Sequence, residues 1–88
     1  MTILYKKKFL KDLSRIPSPN RKEMETFVFN ELPLKKKFNE IENTEKMTGY
    51  SGYYKIRFGD YRMGFHSEKD VITLERVLHR KEIYRFFP

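Results

Sequence analysis

The chain has 88 residues and a formal net charge of +7, from 19 Lys or Arg against 12 Asp or Glu. The absence of cysteine excludes a disulfide scaffold, a thiolate metal site and a cysteine nucleophile, and no apolar run approaches the roughly 20 residues that span a bilayer. Because eight Phe and six Tyr supply the buried area that disordered chains lack, we expect one cytoplasmic domain over residues 1–88 with a polyanionic partner.

The first half of the chain predicts one strand followed by a helical hairpin. β-branched and aromatic residues at positions 2–5 favour a short strand. Apolar residues then recur at helical spacing in two segments, which are Phe9, Leu10, Leu13 and Ile16, then Met24, Phe27, Val28 and Leu32. Asn20 and Glu23 have the spacing of a capping box at the start of the second helix, and Pro33 is expected to end it.

The second half predicts three strands after an irregular connection. Residues 34–52 mix charged residues with a turn sequence, so we expect a connection there with one helical turn around residues 38–41. Residues 53–58 and 61–66 alternate on either side of a Gly-Asp hairpin turn, and residues 71–78 form a third run. The predicted fold class is α+β, a short N-terminal strand and a two-helix hairpin packed on a small, mainly antiparallel sheet, in the order β-α-α-β-β-β.

The two-residue turn fixes the register of the predicted hairpin and gathers cations on one face. In that register Arg57 faces Arg62, and Lys55 faces Gly64. Three cations without an interleaved acid repel one another unless an anion lies among them, and the glycine opposite Lys55 leaves a notch where a backbone could approach. Lys and Arg also line the solvent faces of ordinary sheets, where they oppose aggregation. The clustering, more than the charge itself, indicates an anion-binding face.

Two segments carry a resemblance to a known family. The first is YKIRFGDYR at residues 54–62, and the second is HRKEIYR at residues 79–85. Together they resemble the RelE/ParE superfamily of bacterial and archaeal toxins, and they favour its RelE-like branch. The predicted order of strands and helices matches that family over nearly the whole chain.

The resemblance implies a toxin of a type II toxin–antitoxin system that acts as a ribosome-dependent mRNA endoribonuclease. RelE-like toxins inhibit translation by cutting mRNA in the ribosomal A site, where a ribose 2′-OH attacks the adjacent phosphate without a metal or another cofactor. By motif, the catalytic positions fall on Lys55, Arg57, Arg62, Arg80 and Tyr84. Neighbouring cations make the neutral amine of a lysine more accessible, so Lys55 is the expected base; the arginines would stabilise phosphate charge and Tyr84 would stack on a base.

Two residues near the end of the chain have competing interpretations. His79 carries a side chain suited to acid or base chemistry, yet a supporting or structural role is favoured over a catalytic one. Tyr84 is expected to stack on a base of the RNA. Alternatively, it packs the end of the chain into the core together with its apolar neighbours, which are Ile83, Phe86 and Phe87.

The resemblance also implies partners and leaves two other functions open. The expected partners are a cognate antitoxin, with an acidic or amphipathic segment on the basic face, and the ribosome with its mRNA. A ParE-like toxin of the same fold would instead bind and inhibit DNA gyrase, and a non-catalytic module would bind RNA or the ribosome. No membrane, small-molecule cofactor or metal is expected, since no acidic or histidine cluster has the spacing of a two-metal nuclease.

Overall fold

A computed structural model describes residues 1–88 and contains one five-stranded sheet. The strands are β1 (Thr2–Tyr5), β2 (Thr44–Lys46), β3 (Tyr53–Phe58), β4 (Tyr61–Glu68) and β5 (Val71–His79). Their order across the sheet is β1-β5-β4-β3-β2, with β1 parallel to β5 and the other neighbours antiparallel. The predicted α+β class with a mainly antiparallel sheet is confirmed, and the sheet has one strand more than predicted.

The helical hairpin consists of α1 (Lys7–Ser14) and α2 (Asn20–Thr26), and α2 continues through a π turn (Phe27–Glu31) into a 3-10 turn (Leu32–Leu34). Pro33 lies within this last turn, where its missing N–H breaks no helical hydrogen bond, so the helical segment passes the expected stop. The predicted capping box is wrong. The Asn20 side-chain amide donates instead to the Phe58 carbonyl oxygen at 3.4 Å, which ties α2 to the end of β3.

The main core lies between the helical hairpin and one face of the sheet. From the first predicted stripe Phe9, Leu13 and Ile16 are buried, whereas Leu10 is 44% exposed. The core comprises fourteen buried residues: Phe9, Leu13, Ile16, Met24, Val28, Leu32, Ile41, Ile56, Phe58, Met63, Phe65, Ile72, Leu74 and Val77. Each fully buried side chain of this size contributes roughly 1.5–3 kcal/mol, so this face of the sheet dominates the stability of the fold.

The connection at residues 34–52 holds the main error of the sequence prediction. The expected helical turn is confirmed as a 3-10 turn (Phe38–Glu40). Beyond it, however, β2 pairs with β3 along the edge of the sheet and places Glu45 opposite Lys55. A three-residue Thr-Glu-Lys strand has no apolar alternation of its own and forms because β3 offers it a free edge.

A short C-terminal helix covers part of the opposite face of the sheet. Helix α3 (Ile83–Phe86) starts soon after β5. Its buried residue Ile83 forms a second small cluster with Met47 and Phe87, against which Tyr53 and Leu78 of the sheet pack. The ring of Phe87 lies on Gly64, where an added Cβ would come within 2.6 Å of ring carbons. The notch expected at Gly64 is therefore filled by a side chain of the same protein.

One ion pair joins the helical hairpin to an irregularity in the sheet. A shift in register interrupts the β4–β5 ladder between Gly64 and Phe65. Here Asp12 of α1 accepts hydrogen bonds from Arg76 Nε at 2.7 Å and from the Val77 backbone N–H at 3.1 Å. The hydrogen bond to Asp12 raises the pKa of the Arg76 guanidinium, and this outweighs the lowering caused by partial burial.

No helix of the fold combines the length and the apolar character needed to cross a bilayer.

Candidate active site on the second face of the sheet

The β3–β4 hairpin has the register that the sequence predicts. Arg57 lies opposite Arg62, and Lys55 lies opposite Gly64. Gly59 opens the two-residue turn with a φ of 58°, a left-handed conformation that glycine adopts without a steric cost. Because residues directly opposite in an antiparallel pair project to the same side, these three cations share the face that α3 partly covers. We call Lys55, Arg57, Arg62 and Arg80 together the cation face.

Lys55 is the most enclosed member of the cation face. It is 7% exposed, and its Nζ lies 3.6 Å from Glu45 Oε2 and 5.0 Å from the centroid of the Tyr84 ring. The expected absence of an interleaved acid is therefore wrong, because Glu45 of the unpredicted strand β2 stands directly beside this ammonium. The Lys55 ammonium thus lies between a carboxylate and an aromatic ring.

Arg57 and Arg62 face each other but differ in how they are held. Arg57 is exposed and forms no ion pair or side-chain hydrogen bond, so its guanidinium is available to an incoming anion. The Nη1 of Arg62 donates to the carbonyl oxygens of Gly59 at 2.9 Å and Tyr61 at 3.0 Å. The turn thus fixes one guanidinium and leaves the other free.

Arg80 lies just beyond the end of β5, next to the hairpin turn. Its backbone N–H donates to the Asp60 carbonyl oxygen at 2.8 Å, and its Nε lies 3.7 Å from Asp60 Oδ1. Since Leu78 pairs with Arg62, the alternation of β5 directs Arg80 to the same side as Arg62. The Arg80 side chain is 56% exposed and is held loosely by its carboxylate partner.

Tyr84 stands on the exposed side of α3. It is 69% exposed, whereas its neighbour Ile83 is fully buried and Phe87 is 2% exposed. The interpretation of Tyr84 as core packing is therefore wrong, since Ile83 and Phe87 anchor the helix. The ring of Tyr84 presents one aromatic surface next to the ammonium of Lys55.

His79 is not brought together with the cation face. It pairs with Tyr61, its ring packs edge-on to the Tyr61 ring at a centroid distance of 5.6 Å, and Tyr61 packs on the main core. The Nδ1 of His79 accepts a hydrogen bond from the Lys81 backbone N–H at 3.1 Å. These contacts fit a structural role at the end of β5.

The face as a whole can bind and polarise a phosphate. Guanidinium and ammonium groups that lie within a few residues of one another attract the negative charge of a phosphodiester, and an exposed tyrosine beside them offers a nucleobase a surface to stack on. No three His, Asp or Glu side chains come together in a way that could hold a metal ion.

The chain is similar to known toxins of toxin–antitoxin systems. Residues 3–84 match the model of the family described as "ParE toxin of type II toxin-antitoxin system, parDE". The chain is 39% identical to Toxin RelE3 of Methanocaldococcus jannaschii over 89 residues, with both chains covered completely.

Two solved toxin–antitoxin complexes contain a chain similar to this one. In the RelB–RelE complex from Methanococcus jannaschii the matched chain is 39% identical with a TM-score of 0.81, covering 97% of this chain and 99% of that one. The RelBE2 complex from Mycobacterium tuberculosis matches at 20% identity with a TM-score of 0.68, covering 90% and 96%, and supports the fold alone. The chain belongs to the RelE/ParE superfamily of type II toxin–antitoxin toxins and is RelE-like.

Proposed function

We propose that this toxin is a ribosome-dependent mRNA endoribonuclease that cuts A-site mRNA on its cation face without a metal ion. The observation that carries the proposal is the single sheet face on which Lys55, Arg57 and Arg62 lie, with Arg80 at its end and an exposed Tyr84 beside it. Cleavage by an internal 2′-OH requires stabilisation of phosphorane charge, which these side chains can supply.

Each residue of the cation face has a proposed role in that reaction. Arg57 and Arg62 bind the non-bridging oxygens of the scissile phosphate, one from a free position and one from a fixed one. Arg80 stabilises the charge that develops on the leaving 5′-oxygen, which then takes a proton from water. Tyr84 stacks on a base next to the cut, and Lys55 lies at its side to bind the phosphate or to accept the proton of the 2′-OH.

The proposed partners are the ribosome with its mRNA, in the cytoplasm, and a cognate antitoxin. Two of the similar structures are complexes of a toxin with its antitoxin, which supports a partner of that kind. An antitoxin segment that carries carboxylates or an apolar face would neutralise the cation face and keep RNA away from it.

A second candidate function is gyrase inhibition, which the ParE description of the matching family favours. In that case the protein would act by binding alone. The exposed aromatic ring beside an enclosed ammonium is better suited to a nucleotide, and we rank RNA cleavage first.

The test is cleavage of mRNA on programmed ribosomes by the purified protein and two double variants. Lys55→Ala with Arg80→Ala should abolish cleavage, because the site loses two charges that stabilise the transition state. Lys8→Ala with Lys22→Ala removes the same charge from exposed positions on the helical hairpin and should leave cleavage unchanged. Intact mRNA together with blocked gyrase supercoiling would establish the ParE-like function, and intact mRNA with ribosome binding alone would establish a binding module.

A further inference from the structure

Glu45 is the acid that the fold places beside Lys55, the most enclosed member of the cation face. It lies on edge strand β2 directly opposite Lys55, and its carboxylate is 3.6 Å from the ammonium. The Glu45 side chain is 58% exposed, while that of Lys55 is 9% exposed. A ribose entering from solvent therefore reaches the carboxylate more readily than the amine. The other nearby acid, Asp60, belongs to the hairpin turn and contacts Arg80.

The contact with Glu45 holds the Lys55 amine as a donor. In the ion pair the ammonium has three N–H bonds and no lone pair, whereas the carboxylate presents only acceptor oxygens. The arginines of the face are donors as well and do not lose their protons. Beside these cations, Glu45 is thus the group whose exposed oxygen atoms can accept a proton.

We propose that Glu45, and not Lys55, is the general base of the cleavage reaction, an inference that rests on the proposed function. The carboxylate takes the proton of the ribose 2′-OH, and the 2′-oxygen forms a bond to phosphorus. The bond from phosphorus to the 5′-oxygen breaks, and that oxygen takes a proton from water. The hydroxide that is left takes the proton from Glu45, which restores the carboxylate and the water. The products are a 2′,3′-cyclic phosphate and a 5′-OH end. Lys55 keeps its proton throughout, orients Glu45 and stabilises charge on the phosphate.

The two possible bases predict opposite effects for one substitution. If Glu45 is the base, Glu45→Gln removes the proton acceptor and slows cleavage. If Lys55 is the base, Glu45→Gln removes only the carboxylate that pairs with Lys55 and leaves the base itself in place, so cleavage at neutral pH is as fast as in the wild type or faster. Binding does not share this ambiguity, because loss of a negative charge from a basic face favours RNA binding in either case.

The experiment measures single-turnover cleavage on programmed ribosomes at pH 7, with ribosome binding measured separately. We expect Glu45→Gln to cut at least about 100-fold more slowly while it binds as tightly as the wild type or more tightly. Glu25→Gln, which removes one carboxylate from α2 on the other side of the sheet, is the matched control and should cut at the wild-type rate. Asp60→Asn should change the rate less than tenfold.

A pH series separates a base from a merely structural partner. Lys55 from β3 is paired with Glu45, and the Tyr84 ring from α3 lies on the other side of the Lys55 ammonium. The wild-type rate should fall in acid, where carboxylates are protonated, and Glu45→Gln should lose that fall while Glu45→Asp retains it.

Three results would overturn the inference. They are Glu45→Gln cutting as fast as the wild type, Asp60→Asn showing the larger loss, and an acid fall that persists in Glu45→Gln. Failure of the wild-type protein to cut mRNA at all would overturn the proposed function first, and the role of Glu45 with it. Equal melting temperatures of wild type and Glu45→Gln assign any loss of rate to chemistry.

Discussion

The two faces of the sheet differ in size, composition and use. The face under the helical hairpin belongs to a core of fourteen buried residues, whereas the face under α3 has a buried cluster of three, surrounded by cations. Like charges lie directly opposite each other on the second face, an arrangement that costs stability. The comparison indicates that the first face supplies most of the free energy of folding. The second face loses a little stability through the repulsion between the cations of the candidate site.

The largest expected loss of stability comes from removing a side chain from the core between the helical hairpin and the sheet. Phe9→Ala removes a fully buried ring from the main core and should lower the free energy of unfolding by about 3–5 kcal/mol, through lost burial and a residual cavity. Urea denaturation gives the loss. Cleavage per folded molecule should stay at the wild-type value, because Phe9 lies on the far side of the sheet from the site. A lower rate in the folded fraction would contradict the separation of the two faces.

The second-largest loss of stability is expected from the Asp12–Arg76 ion pair, which joins the helical hairpin to the sheet. Asp12→Ala leaves the Arg76 guanidinium and the Val77 N–H without their acceptor and should cost about 2–3 kcal/mol. Asp12→Asn, which keeps an oxygen acceptor, should cost less, as measured by the same denaturation series.

The pH dependence of that contact follows from the sign of the shift. The pKa of Arg76 is higher in the folded protein than in the unfolded chain. The ion pair therefore contributes fully to the free energy of unfolding at any pH below the pKa of the unfolded state. That contribution is lost only as the pH rises through the pKa of the folded state. Arg76→Met should therefore show the same loss of stability at about pH 7 and about pH 10. A loss that shrinks by about pH 10 would contradict the assignment.

A smaller loss of stability is expected from a substitution at Gly64, on which the Phe87 ring packs. Gly64→Ala places a methyl group against the ring of Phe87 and should cost about 1–3 kcal/mol, because the ring has to move. It should also slow cleavage, since Phe87 helps to hold the helix that presents Tyr84. Phe87→Ala is the partner variant, and in the double variant the clash at Gly64 should disappear. Additive losses in stability would show that the two positions are not coupled.

The smallest expected effect has the opposite sign. Arg57→Gln relieves the repulsion from Arg62 and should raise the free energy of unfolding by a few tenths to about 1 kcal/mol. The same change should weaken RNA binding, because Arg57 is the unpaired guanidinium of the site. A variant that is both less stable and fully active would contradict the division of labour between the faces.

The sequence predicts the hairpin register correctly because two physical signals agree there. A two-residue turn fixes the pairing, and the alternation of Tyr54, Ile56 and Phe58 fixes which side is buried. The helical stripe is confirmed except at Leu10, and the expected α+β class holds. Local periodicity thus explains most of the face that carries the core.

The remaining features depend on tertiary contacts that no local pattern contains. Strand β2 consists of three polar residues that gain structure by pairing with β3, so no local pattern predicts Glu45 beside Lys55. The position of Tyr84 depends on Ile83 and Phe87 as anchors, and Phe87 in turn depends on the space above Gly64. Spacing and resemblance predict the cations of the candidate site. They do not predict Glu45 beside Lys55, or the helix α3 that covers part of this face.

The central claim is that the cation face cuts mRNA by attack of a 2′-OH. The most direct test is to incubate the wild-type protein with programmed ribosomes, without an added cofactor, and to map the ends of the mRNA fragments. The cation face should produce one cut within the A-site codon, with a 2′,3′-cyclic phosphate on the upstream fragment and a 5′-OH on the downstream one. Fragments with a 5′-phosphate, or mRNA that stays intact while the protein is folded and bound to the ribosome, would contradict it.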